Sequence, residues 1–280
     1  DPIGKTNAPR CYNKLFERLH MNAIMLPCEI KKGELPKLLD ACRLMGIHYL
    51  CPTMPHKSDF VDLLDDVDET SKLFHSVNAI RLDENGSHGS GMDGKGAVKA
   101  MEEGGAKLNG INALLYGAGG ISGVTAFELA QSGVKKLYIA NRTPEKAEKI
   151  ARLVNEHTAA TAEVIGTDAA ALDKAAESCE LFANLTPLGM KGFDKKHDYL
   201  GFIDRMPKTA TVFDCVINPP LSETITAART AGLNTVPGMR MLVAQMDVIF
   251  KFLFNQTVTG ADKQACIEEL CNYLGVPSNF

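Results

Sequence analysis

The sequence has no excess of basic charge, no apolar run of membrane-spanning length and no cysteine pair at metal-binding or redox spacing. Thirty Lys and Arg against 34 Asp and Glu leave a net charge of −4. This gives no support for nucleic acid or an anionic membrane as a partner, since both favour a basic patch. No apolar stretch approaches the ~18 residues that a bilayer-crossing helix needs. Cysteines stand at positions 11, 28, 42, 51, 179, 215, 266 and 271. None forms a C-x-x-C pair and no histidine lies at a ligand spacing from them, so no metal is expected. Several sit in apolar runs, such as Cys215 in "TVFDCVI", and buried reduced thiols in a cytoplasmic protein are expected. There is no internal repeat and no low-complexity tract. The chain starts at Asp1 and lacks a basic-then-apolar leader, so an upstream segment is expected to have been removed or left out.

What is present is an ordinary globular composition, 45% hydrophobic and 23% charged, over 280 residues. That length suits two domains. Residues 34–46, "ELPKLLDACRLMG", have helical apolar spacing and stop at Gly46. "IHYLCPT" reads as a strand and "DFVDLLDDVDETSKLF" as the next helix, the alternation of an α/β domain. A glycine-rich patch, "HGSGMDGKG", leads into the helix "AVKAMEEGG". A second series follows: "INALLYG" (strand), "AGGISGVTAFELAQSG" (glycine turn and helix), "KKLYIANR" (strand) and "TPEKAEKIARLVNEH" (helix). Thr143 would be the N-cap of that last helix, with Pro144 in its first position. "AEVIG", "LFANLT" and "TVFDCVI" supply further strands. The pattern is that of a doubly wound parallel sheet. The last forty residues, including "GMRMLVAQMDVIFKFLF", read as helices whose apolar side must pack on another domain.

"LLYGAGGIS" matches G-x-G-x-x-G with Gly117, Gly119 and Ser122 in the third place. The first glycine permits the turn, and the second lets a pyrophosphate approach the backbone at the positive end of the new helix. A strand precedes, a helix follows, and a second strand ends about twenty residues on. That strand closes on Asn141 and Arg142, where an NAD site usually carries an acid. A guanidinium there can pair with a 2′-phosphate, and Thr143 adds a donor, so NADP(H) is the expected cofactor.

One other stretch, "YLCPTMPHK", delivers Lys57 at the end of an apolar run with its approach constrained by two prolines. Such a lysine is either a solvated turn residue or one positioned for chemistry. The ordered set of "DPIGKTNAP", "TMPHK", "VNAI", "MDGKG", "GAGG", "ANRTPEKA", "NLTPLGM", "NPP" and "GMRMLVAQ" decides between them. In that order and at similar spacings it resembles the shikimate dehydrogenases over almost the whole chain. The resemblance implies a substrate domain over 1–95, completed by 238–280, and a Rossmann NADP domain over 96–237. It implies reversible reduction of 3-dehydroshikimate to shikimate with NADPH. Lys57 and Asp93 match the family's catalytic pair, and Thr6, Thr53, Asn78 and Gln245 its substrate-binding positions. Gly117, Ala118, Gly119, Gly120, Asn141, Arg142, Thr143, Asn184, Thr186, Met190, Gly238 and Met241 match positions along the cofactor.

The departures cluster at the substrate. Ala8, Cys51, Gly91, Met92 and Ile217 stand where the family usually has polar side chains. Polar ligand groups left unpaired in such a site bind poorly. Quinate or another cyclic hydroxy acid is therefore the alternative substrate, and a non-catalytic NADP-binding sensor is the alternative from another class. A monomer or homodimer acting on a small molecule is expected.

Overall fold

The computed structural model describes residues 6–278. They divide into two compact units, one made of residues up to Met92 together with Met246–Ser278, the other of Asp93–Gln245.

The first unit opens with helix α1 (Ala8–Arg18), which has Pro9 in its first turn and buries Cys11, Tyr12, Leu15 and Phe16. That i, i+1, i+4, i+5 spacing is one face of a helix. Helix α2 (Leu35–Met45) buries Leu35, Leu39 and Cys42 and stops at Gly46, whose φ of 66° is the left-handed conformation that ends helices. Strands β1 (Tyr49–Leu50), β2 (Asp66–Val67), β3 (Ala79–Asp83) and β4 (Gly86–Ser90) form a sheet in the order β1-β3-β4-β2. β3 and β4 are an antiparallel hairpin in which Asp83 faces Gly86, while β2 joins β4 in parallel. Leu35, Leu39, Phe60, Val67, Val77, Ile80 and Leu82 make the core beneath it.

Two expectations fail here. The strand over "IHYLCPT" is only Tyr49–Leu50, and the helix over "DFVDLLDDVDETSKLF" breaks into a 3₁₀ turn (Val61–Leu63), β2 and a short helix α3 (Glu69–Phe74). The acids decide this. Asp65 accepts from the backbone N–H and the hydroxyl of Ser87 at 2.8 and 2.6 Å, and Asp68 caps α3 through Ser71 N at 2.8 Å. Acidic side chains that bond backbone elsewhere compete with helix continuation.

The second unit is a six-stranded parallel sheet, β5 (Asn112–Tyr116), β6 (Lys136–Ala140), β7 (Thr161–Ile165), β8 (Leu181–Asn184), β9 (Thr211–Asp214) and β10 (Asn234–Pro237), ordered β10-β9-β8-β5-β6-β7. Helices α4 (Asp93–Glu103), α5 (Ser122–Gln131), α6 (Pro144–His157), α7 (Ala169–Ala176) and α8 (Glu223–Thr230) belong to this unit. β5 runs "NALLY" with Leu114 and Leu115 fully buried, one on each of two hydrophobic clusters. This is how a strand covered on both faces reads in sequence. Thr143 occupies the N-cap of α6 as its sequence predicts, but its hydroxyl makes no capping bond.

Helix α9 (Gly238–Phe254) contributes residues to both units, and α10 (Gly260–Leu274) belongs to the first. In the first unit Phe250 lies 5.5 Å, centroid to centroid, from both Tyr12 and Phe16, and Phe254 lies 4.6 Å from Tyr49. Those rings cover the apolar side of the helix. α10 begins with a capping box between Thr259 and Asp262, and Asp262 also accepts from Arg18 at 2.7 Å.

Close approach sets α4. A Cβ on Gly94 would stand 2.4 Å from the Val124 carbonyl oxygen of α5, and one on Gly96 would stand 2.8 Å from Gln245 Cα in α9. Backbone cannot yield as a side-chain tip can, so Gly94→Ala should destabilise the protein by about 1–3 kcal/mol. Denaturant unfolding followed by circular dichroism checks this; an unchanged midpoint would show that α4 can slide.

Candidate functional site

The turn after β5 is built by glycines and closed by side chains. Gly117 has a φ of +116° and its N–H donates to Ala140 O at 2.8 Å. Asn141, at the end of β6, accepts from Ala118 N at 3.1 Å and donates to Thr143 O at 2.7 Å. The Ser122 hydroxyl, in the third fingerprint place, accepts from Gly119 N at 3.0 Å. Side chains on Gly119 or Gly120 would meet no protein atom within 4 Å. Packing therefore does not demand glycine at either position. What their bareness leaves is an open backbone at a helix N-terminus, the room that a pyrophosphate requires. Arg142 and Thr143 are exposed beside this turn.

The opposite wall is Thr186, just beyond β8. A Cβ on Gly117 would stand 2.6 Å from its methyl group. The Thr186 N–H and hydroxyl both donate to Asn184 Oδ1, at 3.1 and 2.7 Å. Asn184 Nδ2 donates in turn to Asp214 Oδ1 at 2.8 Å. Asp214, fully buried at the end of β9, also accepts from Val216 N at 3.0 Å and from the Ser222 hydroxyl. Ser222 in turn caps α8 by accepting from Ile225 N. Sequence reasoning missed Asp214 and Ser222; an acid inside the apolar run "TVFDCVI" was the available signal. Gly238 packs on the Cys215–Val216 backbone, where a Cβ would come within 2.6 Å of three atoms. Met241 is buried in the core of this unit, and Met190 is exposed.

Asp93 is the first residue of α4, and Gln245 Nε2 of α9 donates to its Oδ1 at 2.6 Å. In the first unit Asn78 Oδ1 accepts from Met92 N at 2.6 Å, and Ser71 Oγ accepts from Gly91 N at 2.6 Å. A Cβ on Gly91 would come within 2.7 Å of Ser76 O, which accounts for the glycine. Met92 is buried. Lys57, half-buried in the turn after Leu50, is located by its carbonyl, which accepts from Val77 N at 2.9 Å. His56 next to it bonds Ile30 O at 2.8 Å and Asp59 at 3.3 Å. Thr53 is exposed, with its carbonyl accepting from His56 N. The Thr6 hydroxyl accepts from Ala8 N at 3.4 Å. Cys51 Sγ lies 3.8 Å from Tyr12 Oη, and burial pushes its thiol up to about 11, so it stays neutral. Lys57, Thr6, Thr53 and Asn78 fall in the first unit; Asp93, Gln245 and the cofactor-side positions fall in the second. Among the described residues no group of three or more His, Cys, Asp or Glu could hold a metal ion, and no helix is long and apolar enough to cross a membrane.

A parallel sheet whose strand order reverses beside a glycine turn defines a doubly wound, dinucleotide-type α/β protein. Residues 1–80 match the family model of the shikimate dehydrogenase substrate binding domain, and residues 98–175 match that of shikimate / quinate 5-dehydrogenase. A shikimate dehydrogenase (NADP(+)) of Alkaliphilus oremlandii is 31% identical over 256 residues, covering 89% of this chain and 87% of that protein. A solved shikimate 5-dehydrogenase from Listeria monocytogenes, in complex with shikimate and NAD, is 25% identical with a TM-score of 0.87, over 96% of this chain and 93% of that one. A solved shikimate dehydrogenase in complex with NADP+ is 27% identical with a TM-score of 0.80, over 96% and 92%. The chain belongs to the shikimate dehydrogenase family.

Burial raises the Asp214 carboxyl from its ordinary 3.8 to about 6, against the bonds from Ser222, Val216 and Asn184 that favour the charged form. Between those two values the native state holds a proton that the unfolded chain has released. Stability contributed here is present at low pH and lost as pH rises through about 6. An upward shift of this size corresponds to roughly 3 kcal/mol. Asp214→Asn should therefore gain stability relative to wild type as pH rises from 4 to 7, read from thermal unfolding across that range. A difference that stays constant with pH would contradict the shifted titration.

Proposed function

We propose that the chain catalyses the reversible, NADP(H)-dependent reduction of 3-dehydroshikimate to shikimate. Ketone, NADPH and one proton give alcohol and NADP+. The observation that carries this reading is the Asp93 carboxylate, presented by the first turn of α4 and held at 2.6 Å by Gln245. Gly94 and Gly96 give that helix the close approach the arrangement needs. A proton-handling site requires such a carboxylate.

NADP(H), when bound, supplies the hydride. Gly117, Ala118, Gly119 and Gly120 give the backbone that receives its pyrophosphate, and Arg142, with Asn141 and Thr143, receives the 2′-phosphate. Thr186, Met190, Gly238 and Met241 would border the nicotinamide. As the ketone is reduced its oxygen gains negative charge, and the Lys57 ammonium both stabilises that charge and delivers the proton. Asp93 orients the reacting groups; in the oxidative direction Lys57 accepts the proton. Thr6, Thr53, Asn78 and Gln245 bind the substrate hydroxyls and carboxylate. The names of the relatives support shikimate as substrate, while Ala8, Cys51, Gly91, Met92 and Ile217 remove polar partners and favour a wider set of cyclic hydroxy acids that includes quinate. The protein acts in the cytoplasm as a monomer or homodimer, and eight cysteines without a disulfide fit that setting.

Lys57→Ala and Asp93→Ala should each lower kcat by ~10²–10⁴-fold with little change in NADPH affinity. The double variant should lose less than the product of the two, because groups that act as a unit are not additive. Full activity in both single variants would sink the assignment. Arg142→Ala should raise KM for NADPH about tenfold or more and leave NADH unaffected, because only the former carries the 2′-phosphate. Equal losses for both cofactors would place the phosphate elsewhere.

A further inference from the structure

We propose that Asp214 is a positioning residue for the dinucleotide: through Asn184 it holds Thr186 against Gly117 and so fixes the β8-side wall of the crevice. The inference rests on reading that crevice as the dinucleotide site.

The strand order places this crevice. From β5 the chain proceeds outward to β6 and β7, then returns to lay β8, β9 and β10 on the other side of β5. The reversal lies between β5 and β8, and ligands of such sheets bind beyond the strand ends at that point. Gly117 leaves β5 there and Thr186 follows β8. Arg142 follows β6, on the adenosine side, so Thr186 lies on the nicotinamide side.

Both donors of Thr186 converge on one atom. Its N–H and its hydroxyl both need an acceptor, and both find Asn184 Oδ1. Asn184 is fully buried, so water cannot replace that oxygen. An amide side chain can turn over and present its NH₂ instead, which would set donor against donor. Asp214 prevents this. An ionised carboxylate only accepts, so it takes the Asn184 NH₂ and leaves the oxygen facing Thr186. Asp214 is itself pinned by Val216 N and Ser222 Oγ. A second contact supports the same wall, since Cys215 Sγ donates to Thr186 O at 3.5 Å. The chain thus places an acid where burial disfavours its charge, and the beneficiary is the orientation of one buried amide.

The test is titration of NADPH and NADH with the protein, followed by the fluorescence of the reduced nicotinamide, with thermal unfolding to confirm that each variant is folded. Asp214→Ala should weaken both dinucleotides about tenfold and by the same factor, since the wall lies away from the 2′-phosphate. Asp214→Asn should recover affinity to within about threefold, because Val216 N selects the amide oxygen for position Oδ1, where it still accepts from Asn184. Thr186→Val should reproduce the Asp214→Ala loss, and the double variant should be no worse than either single one. Folded Asp214→Ala with wild-type affinity overturns the inference, as does a loss confined to NADPH. Should Asp214→Ala fail to fold, wild-type affinity in Thr186→Val overturns it equally. Wild-type protein that binds neither dinucleotide overturns the functional reading and this inference with it; wild-type binding alongside unaffected variants overturns the inference alone.

Discussion

The parallel register of β5 with its two neighbours governs the second unit. Tyr116 stands opposite Ala140 of β6 and opposite Asn184 of β8, and Asn184 stands opposite Asp214 of β9. Four strands therefore end level, and the chain leaves them at Gly117, Asn141, Leu185 and Cys215 along one edge. What holds the register is burial: Leu114, Leu115, Leu137, Ile139, Phe182 and Phe213 are almost wholly removed from water. Each contributes on the order of 1.5–3 kcal/mol, enough to make a slipped register costly. Only because the ends are level can one asparagine brace the glycine turn and another brace Thr186.

The first unit rests on a different device. Its sheet is small and mixed, and side chains bonding to backbone do much of the ordering. Asp65 clasps Ser87, Asp68 holds Ser71 N and the Ser90 hydroxyl, Ser71 holds Gly91 N, and Asn78 holds Met92 N. These bonds fasten the end of β4 up to Met92, and the next residue in the chain is Asp93. A candidate acid is thus delivered by a segment with little freedom on its N-terminal side, and on its C-terminal side by a helix that glycines allow to pack closely.

Much of this was legible from residue patterns. The glycine turn, the strands with continuous apolar runs and Arg142 after β6 carry local signals, because a buried parallel strand and a phosphate-binding turn each dictate their own residues. Asp93 and Gln245 were legible only as matched motifs; no local rule announces a bond between residues 152 apart in sequence. The β3–β4 hairpin turns through Glu84 and Asn85, with Asp83 accepting from Asn85 N, and so lacks the Asn-Gly pair at the two central turn positions that marks a hairpin in sequence. Strand β4, Gly-Ser-His-Gly-Ser, carries glycine and serine in place of β-branched residues, which hid it within a glycine-rich patch. Helix α1 was likewise unread despite its apolar spacing. Asp214 escaped because its role depends on the neighbouring strand, which a linear sequence does not display.

The proposed reaction is the oxidation of a cyclic hydroxy acid at the expense of NADP+. The most direct measurement is the absorbance of NADPH formed when purified protein is mixed with NADP+ and shikimate, with quinate and NAD+ as parallel arms. The account predicts turnover with NADP+ and shikimate, and weaker turnover when NAD+ replaces NADP+. Tight binding of NADPH with no NADP+ reduction by shikimate, quinate or any other cyclic hydroxy acid would contradict it and mark the protein as a binder of the nucleotide rather than an enzyme.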